Sequence, residues 1–142
     1  PEKDFALTLL TNDDKGGVLN NNLVSLALEV YFGIKPTLPK PIKVNASELK
    51  EYVGSYRIGT EAFDLKIKNG ELIYQHIPLG GFPTPDSPPG PAMPPMRVAF
   101  FEKDQTLMLD EPMKNGIGDF IRDENGRVQF FRIGGRAHKK IK

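Results

Sequence analysis

The stretch Ala62-Phe63-Asp64-Leu65-Lys66-Ile67-Lys68-Asn69-Gly70-Glu71-Leu72-Ile73-Tyr74-Gln75-His76-Ile77 decides the fold. Phe63, Leu65 and Ile67 share one face of its first half, and Leu72, Tyr74 and His76 share one face of its second. A period of two marks a half-buried strand, and Asn-Gly between two such runs is a strong hairpin signal. The same pattern extends outward. Candidate strands cover Ser55 to Ile58, Ala62 to Lys68, Glu71 to Ile77, Arg97 to Glu102, Thr106 to Asp110, Gly118 to Arg122, Arg127 to Ile133 and Arg136 to Ile141. Asn125-Gly126 and Gly134-Gly135 supply further tight turns. Eight short antiparallel strands in succession predict an up-and-down barrel or a strongly curved sheet that closes its own edges. Such a barrel either holds one small ligand or fills itself with side chains.

Composition sets the outer limits. The chain has 142 residues, enough for one ordinary domain or one small domain with a fragment of another. Hydrophobic residues make up 39% and charged residues 26%, which suits a chain with a core. Nineteen basic against eighteen acidic side chains leave a net charge of +1, too little field for non-specific nucleic-acid binding. The absence of cysteine removes disulfides, thiol nucleophiles and cysteine-based zinc sites. Two histidines, His76 and His138, cannot form a three-histidine metal site, and no cofactor motif is present. The longest apolar stretch, Leu23 to Phe32, is interrupted by Ser25 and Glu29 and is too short for a transmembrane segment.

Upstream of the strands the organisation changes. Phe5 to Leu10 is a compact apolar run bounded by Thr11, Asn12, Asp13 and Asp14, and reads as a buried strand ending in a turn. Leu19, Leu23, Leu26, Ala27, Val30 and Tyr31 then recur at helical spacing, with Gly33 at the position of a C-terminal cap. One strand and one helix cannot bury their own apolar faces, so they are expected to belong to a larger body. The first residues, Pro1-Glu2-Lys3-Asp4, are read as continuing from a longer chain. Three prolines between Lys35 and Lys43 predict an extended connection. Asn45 or Ser47 then caps a short helix through Leu49, Tyr52 and Val53, ended by Gly54.

The segment Pro78 to Met96 carries eight prolines and three glycines in nineteen residues, which no ladder strand tolerates. It reads as a surface loop, a lid over the barrel mouth, or a polyproline segment offered to a partner. With inward-facing strands, Tyr74 and His76 would give two hydrogen-bonding groups to a mostly apolar interior that includes Phe63, the composition of a small-molecule pocket. A lone histidine near a strand end is more often solvent-exposed or structurally bonded, and that reading is preferred. Arg97, Arg122 and Arg132 could converge on an anion, or could face water beside acidic neighbours such as Asp119 and Asp123. The basic run Arg136 to Lys142, with His138, could engage an acidic surface or lipid headgroups, but reads more simply as a solvated edge strand whose lysines discourage unwanted pairing. Ser47-Glu48-Leu49-Lys50 has the Ser-x-x-Lys spacing of an acylated serine and its lysine base. It stands at an exposed helix start with no Tyr-x-Asn, Ser-Asp-Asn or Lys-Thr-Gly element downstream, and is read as incidental.

Both ends of the chain resemble one family. Pro1-Glu2-Lys3, the run Phe5 to Leu10, Thr11-Asn12 and the helix through Gly33 look like the final strand and C-terminal helix of the class C branch of serine β-lactamases and penicillin-binding proteins. Leu49-x-x-Tyr52-x-Gly54-x-Tyr56 is similar to the opening motif of the lipocalin-like domain appended to many members, including D-amino-acid-specific peptidases and esterases. Phe120 through Gly126-Arg127-Val128 resembles that domain's late hairpin. The resemblance implies a catalytic-domain remnant over residues 1–34, a linker over 35–44 and a lipocalin-like barrel over 45–142. It implies a parent serine hydrolase whose nucleophile lies upstream, in a secreted, periplasmic or cytoplasmic setting. This chain would then be a non-catalytic accessory part that restricts substrate access or assists assembly. Its expected partners are the parent catalytic domain or a second copy meeting the helix from Leu19 to Tyr31. An independent small-ligand-binding barrel is the competing reading.

Overall fold

In the computed structural model, which describes residues 4–12, 16–35, 37–81 and 83–142, the chain divides into two compact units, residues 1–38 and 39–142. Pro1 to Lys3 and the expected turn residues Asp13 and Asp14 lie outside the described residues.

The first unit contains helix α1 (Gly16–Phe32). Gly33 follows at φ 66°, and its N–H donates to the Glu29 carbonyl while the Ile34 N–H reaches back to Leu28. This is the glycine-dependent cap that the sequence predicts. Phe5 to Leu10, expected to be a strand, has no ladder partner among the described residues and forms none. An apolar run becomes a strand only when another backbone satisfies its N–H and C=O groups. Phe5 instead packs its ring against Tyr31 and Phe32, at centroid distances of 5.2 and 5.0 Å. The covered helix face therefore runs through Ala27, Leu28 and Phe32. The stripe of Leu19, Leu23, Leu26 and Val30, expected to meet a parent domain or a second copy, is exposed in the single chain.

The second unit begins with a short helix, α2 (Ala46–Leu49), continued as a 3-10 turn through Tyr52. Asn45 starts it, its backbone N–H held by the Glu48 carboxylate at 3.0 Å. Eight strands follow: β1 (Gly54–Ile58), β2 (Glu61–Lys68), β3 (Glu71–Pro78), β4 (Met96–Glu102), β5 (Gln105–Met108), β6 (Ile117–Arg122), β7 (Val128–Ile133) and β8 (Arg136–Lys140). Each pairs antiparallel with the next, and β8 pairs with β1, so the sheet is a closed up-and-down barrel. The fold is mainly β, the closed barrel that the eight runs predict, and it fits the lipocalin-like barrel that the resemblance implies. β8 is consequently not an edge strand. Closure gives it partners on both sides, and the lysines that looked like edge protection alternate instead between interior and solvent.

The middle of the barrel is filled. Tyr56, Phe63 and Phe131 are at most 1% exposed, and Tyr74, Phe100 and Phe120 join them in one cluster. Phe63 stacks between Tyr56 and Tyr74 at 5.3 and 4.5 Å, and Phe120 lies 4.5 Å from Phe131. Each such ring contributes roughly 1.5–3 kcal/mol through burial. Of the two uses open to an eight-stranded barrel, side chains occupy this centre.

The two ends differ. At one end the α2 turn lies across the barrel: the Tyr56 hydroxyl donates to the Tyr52 carbonyl at 2.7 Å, and the Tyr52 ring packs on Phe100 and Phe120. Gly54 between them has φ 154°, and a Cβ there would stand 2.1 Å from the Lys142 carbonyl oxygen. The spacing Tyr52-x-Gly54-x-Tyr56 thus combines a hydroxyl tie with a backbone contact that leaves no room for a side chain. Arg122 locks the same end, donating to both oxygens of Asp104 (2.8 and 2.7 Å) and both of Glu51 (2.7 and 2.9 Å). At the opposite end lie the β1–β2 and β7–β8 turns, the proline-rich loop and the loop after β5.

Candidate functional site

A cavity of about 370 Å³ occupies that second end. The hairpin between β7 and β8 shapes it. Gly134 and Gly135 both adopt left-handed φ (57° and 77°), the requirement of a tight two-residue turn, so Ile133 and Arg136 pair directly and Arg136 lands at the mouth. Alternation along β8 then turns His138 inward, two residues deeper and opposite Phe131. From β2, Glu61 meets both: its Oε1 accepts from Arg136 Nη1, and its Oε2 lies 3.3 Å from His138 Nε2. An ionised carboxylate only accepts, so Nε2 carries the proton of the neutral ring.

His138 is 4% exposed, with its ring edge against Phe63 at 5.0 Å. Its Nδ1 is buried without a hydrogen-bond partner. Desolvation pushes the imidazole below its ordinary value of 6.5. The carbonyls of Phe131 and Arg136 favour the charged ring and the Arg136 charge opposes it, so desolvation prevails. A depressed histidine stabilises the fold fully above the unfolded value, and that contribution is lost as pH falls through the folded one. Urea midpoints are therefore expected to fall between pH 7.5 and 5.5, and to fall less in a His138→Phe variant. An equal fall in both proteins would assign the acid sensitivity elsewhere.

β3 supplies the other polar wall. Tyr74 and His76 share the inner face of the strand and line the cavity. The Tyr74 hydroxyl is pushed up to about 12 by burial, so it remains a donor at neutral pH. His76 Nδ1 accepts from the Met93 backbone N–H at 3.5 Å, which places the neutral ring's proton on Nε2. This contact also fixes one point of the proline-rich loop, whose Met93 forms part of the wall. Earlier in that loop, Thr84 and Ser87 close a local turn, the Ser87 N–H donating to the Thr84 carbonyl at 3.0 Å. Phe63 does not reach the cavity. It is 1% exposed and sealed beneath Tyr74 and His138.

The remaining sequence candidates fall elsewhere. Arg97 pairs with Asp110 on the outer surface and Arg132 with Asp119, while Arg122 lies at the closed end, so the three arginines do not converge. Ser47 and Lys50 are both exposed on the α2 turn. Among the described residues, no group of three His, Asp or Glu side chains could hold a metal ion, and no helix is long and apolar enough to cross a membrane.

No family model matches the chain, and no curated protein is similar to it in sequence. Among solved structures, the crystal structure of SurE with D-Leu superposes with a TM-score of 0.58 at 21% identity, over 92% of this chain and 28% of SurE. A second crystal structure of SurE gives 0.54 over the same shares. The likeness is one of fold, and the chain spans little more than a quarter of the length of the SurE chain.

Proposed function

We propose that the chain is the non-catalytic accessory C-terminal part of a serine hydrolase of the β-lactamase and penicillin-binding-protein type, modulating substrate access or assembly. The observation that carries this reading is the extent of the structural likeness. Nearly all of this chain, both units included, corresponds to only 28% of SurE, leaving most of that molecule to other work. The motif resemblance described above implies the chemistry of the parent of this chain, an acyl-enzyme formed upstream. SurE was crystallised with D-Leu, in keeping with the D-amino-acid-specific peptidases and esterases among which the appended barrel occurs. The exposed stripe Leu19, Leu23, Leu26 and Val30 fits a helix whose partner surface is supplied by the parent catalytic domain or a second copy.

The gene provides the test. Its reading frame upstream of Pro1 is expected to encode a Ser-x-x-Lys followed by a Tyr-x-Asn and a Lys-Thr-Gly or His-x-Gly element. An initiation codon directly before Pro1, or an upstream region without them, overturns the proposal. So does turnover of a chromogenic cephalosporin or p-nitrophenyl ester by this chain that disappears on Ser47→Ala. A second reading, a ligand-binding barrel with a role of its own, is favoured by one observation, the polar cavity at the open mouth.

A further inference from the structure

We infer that the mouth cavity is a binding site for a small carboxylate carried on an apolar body, such as a medium-chain acyl or aryl acid. The inference goes beyond the accessory role and holds whether or not the barrel serves a parent enzyme. It rests on which hydrogen-bonding capacities the protein has already used. Both Glu61 oxygens are engaged, one by Arg136 and one by His138. The acceptor nitrogen of His76 is engaged by the Met93 N–H. The Tyr74 hydroxyl, kept protonated by burial, takes no protein partner among the described residues. His138 Nδ1 also lacks a partner but is shut off from solvent, and each Glu61 oxygen keeps a second lone pair. The groups that still face the cavity unpaired are therefore chiefly donors: the Tyr74 O–H, the His76 Nε2–H and the remaining N–H groups of Arg136.

A donor-lined wall selects a ligand rich in acceptors, and the fixed cation at its rim favours one that is anionic. An amine would meet donors on three sides and a carboxylate whose charge Arg136 already balances. The rest of the lining is apolar. Ala62, Ile133 and the two methionines Met93 and Met113 surround the polar wall, and methionine side chains adapt to bodies of differing shape. The volume of about 370 Å³ lies at the small end of the roughly 300–1,000 Å³ that small-molecule sites occupy. The aromatic cluster beneath stops the ligand from going deeper, so the acid group must sit near the mouth.

The composition of the chain makes the test direct. Its two histidines both line the cavity, so their ring proton signals report on the site without labelling. Titrating the full chain with sodium octanoate is expected to shift both histidine signals saturably, while octylamine at equal concentration leaves them in place. Tyr74→Phe and His76→Leu are each expected to weaken octanoate binding by about tenfold, the effect of losing one hydrogen bond to a charged group. An unmoved His138 signal in the ligand-free variants verifies the fold. Histidine signals indifferent to octanoate, equal responses to octylamine, or undiminished affinity in both variants would each overturn the assignment. So would shifts confined to Phe5 and Tyr31, which would place the ligand on α1. None of these results touches the upstream-gene test of the accessory role.

Discussion

Phe131→Ala is expected to lower the stability of the barrel by about 3–5 kcal/mol, the range for emptying a fully packed aromatic site. Phe131 is completely buried, with Phe120 at 4.5 Å, Phe63 at 5.7 Å and Tyr56 at 6.3 Å around it. Its fourth neighbour is backbone: a Cβ added at Gly118 would come within 2.9 Å of its ring. The cavity left by alanine is thus walled by rings wedged against one another and by a strand held in register on both sides, and neither collapses readily. With total stability of roughly 5–15 kcal/mol for a domain of this kind, the variant would sit near the limit of folding. Its urea midpoint should fall by roughly 2–3 M. Tyrosine emission is a suitable probe, because three of the four tyrosines, Tyr52, Tyr56 and Tyr74, lie in the barrel core. Gln129→Ala, on the exposed face of the same strand, should move the midpoint little. A loss below about 1 kcal/mol for Phe131→Ala would mean that the rings are not packed as a single cluster.

Much of this core was legible in the sequence, since period-two alternation and paired turn residues state both the strands and their faces. All eight strands fall within two residues of their expected limits. Asn69-Gly70 takes positive φ at both positions, 54° and 80°, as a tight hairpin requires. The turn between β4 and β5 carries no such signal. Asp104 occupies a left-handed conformation there at φ 62°, and its carboxylate is held by Arg122 and Tyr52, partners that lie 18 and 52 residues away in sequence. Local reading sees only a gap between two strands.

The site divides in the same way. That Tyr74 and His76 share one face was legible from alternation, whereas which way that face turns depends on the neighbouring strands. Phe63 shares the face of β2 that turns inward, but depth along a barrel depends on stagger between strands, and Tyr74 and His138 cover it. His138 was hidden by its company. Between Arg136 and Lys139-Lys140 it reads as part of a charged tail, and only the pairing of β8 with both β7 and β1 turns every second residue of that tail into the interior. Phe5 to Leu10 shows the converse error. Its composition suits a strand, but composition says nothing about whether a partner strand exists.

Arg122→Leu is expected to cost roughly 2–3 kcal/mol, less than the roughly 3–5 kcal/mol for breaking a fully buried pair because solvent reaches part of the network. The Arg122 and Asp104 side chains are 20% and 18% exposed, whereas Glu51 is 46% exposed and contributes less. Burial by itself would raise Asp104, but hydrogen bonds from Arg122 and Tyr52 outweigh it and hold the carboxyl below its ordinary 3.8. A depressed carboxylate stabilises the fold above its unfolded pKa, and that contribution is lost as pH falls through the folded value. Leucine removes the guanidinium and leaves Asp104 half-buried with the Tyr52 hydroxyl as its remaining side-chain donor, so the variant's deficit should be full at pH 7 and shrink towards pH 3. Pairing the change with Asp104→Asn removes the stranded charge and should restore about half of the loss, a coupling that independent sites would not show. The consequence for the molecule is directional. Because Arg122 ties Glu51 of the α2 turn to the β4–β5 turn, loosening it should speed hydrogen exchange around Tyr52 while leaving the backbone near His76 protected. Equal loss of protection at both ends would show that the barrel opens as one unit and that the closed end has no separate anchor.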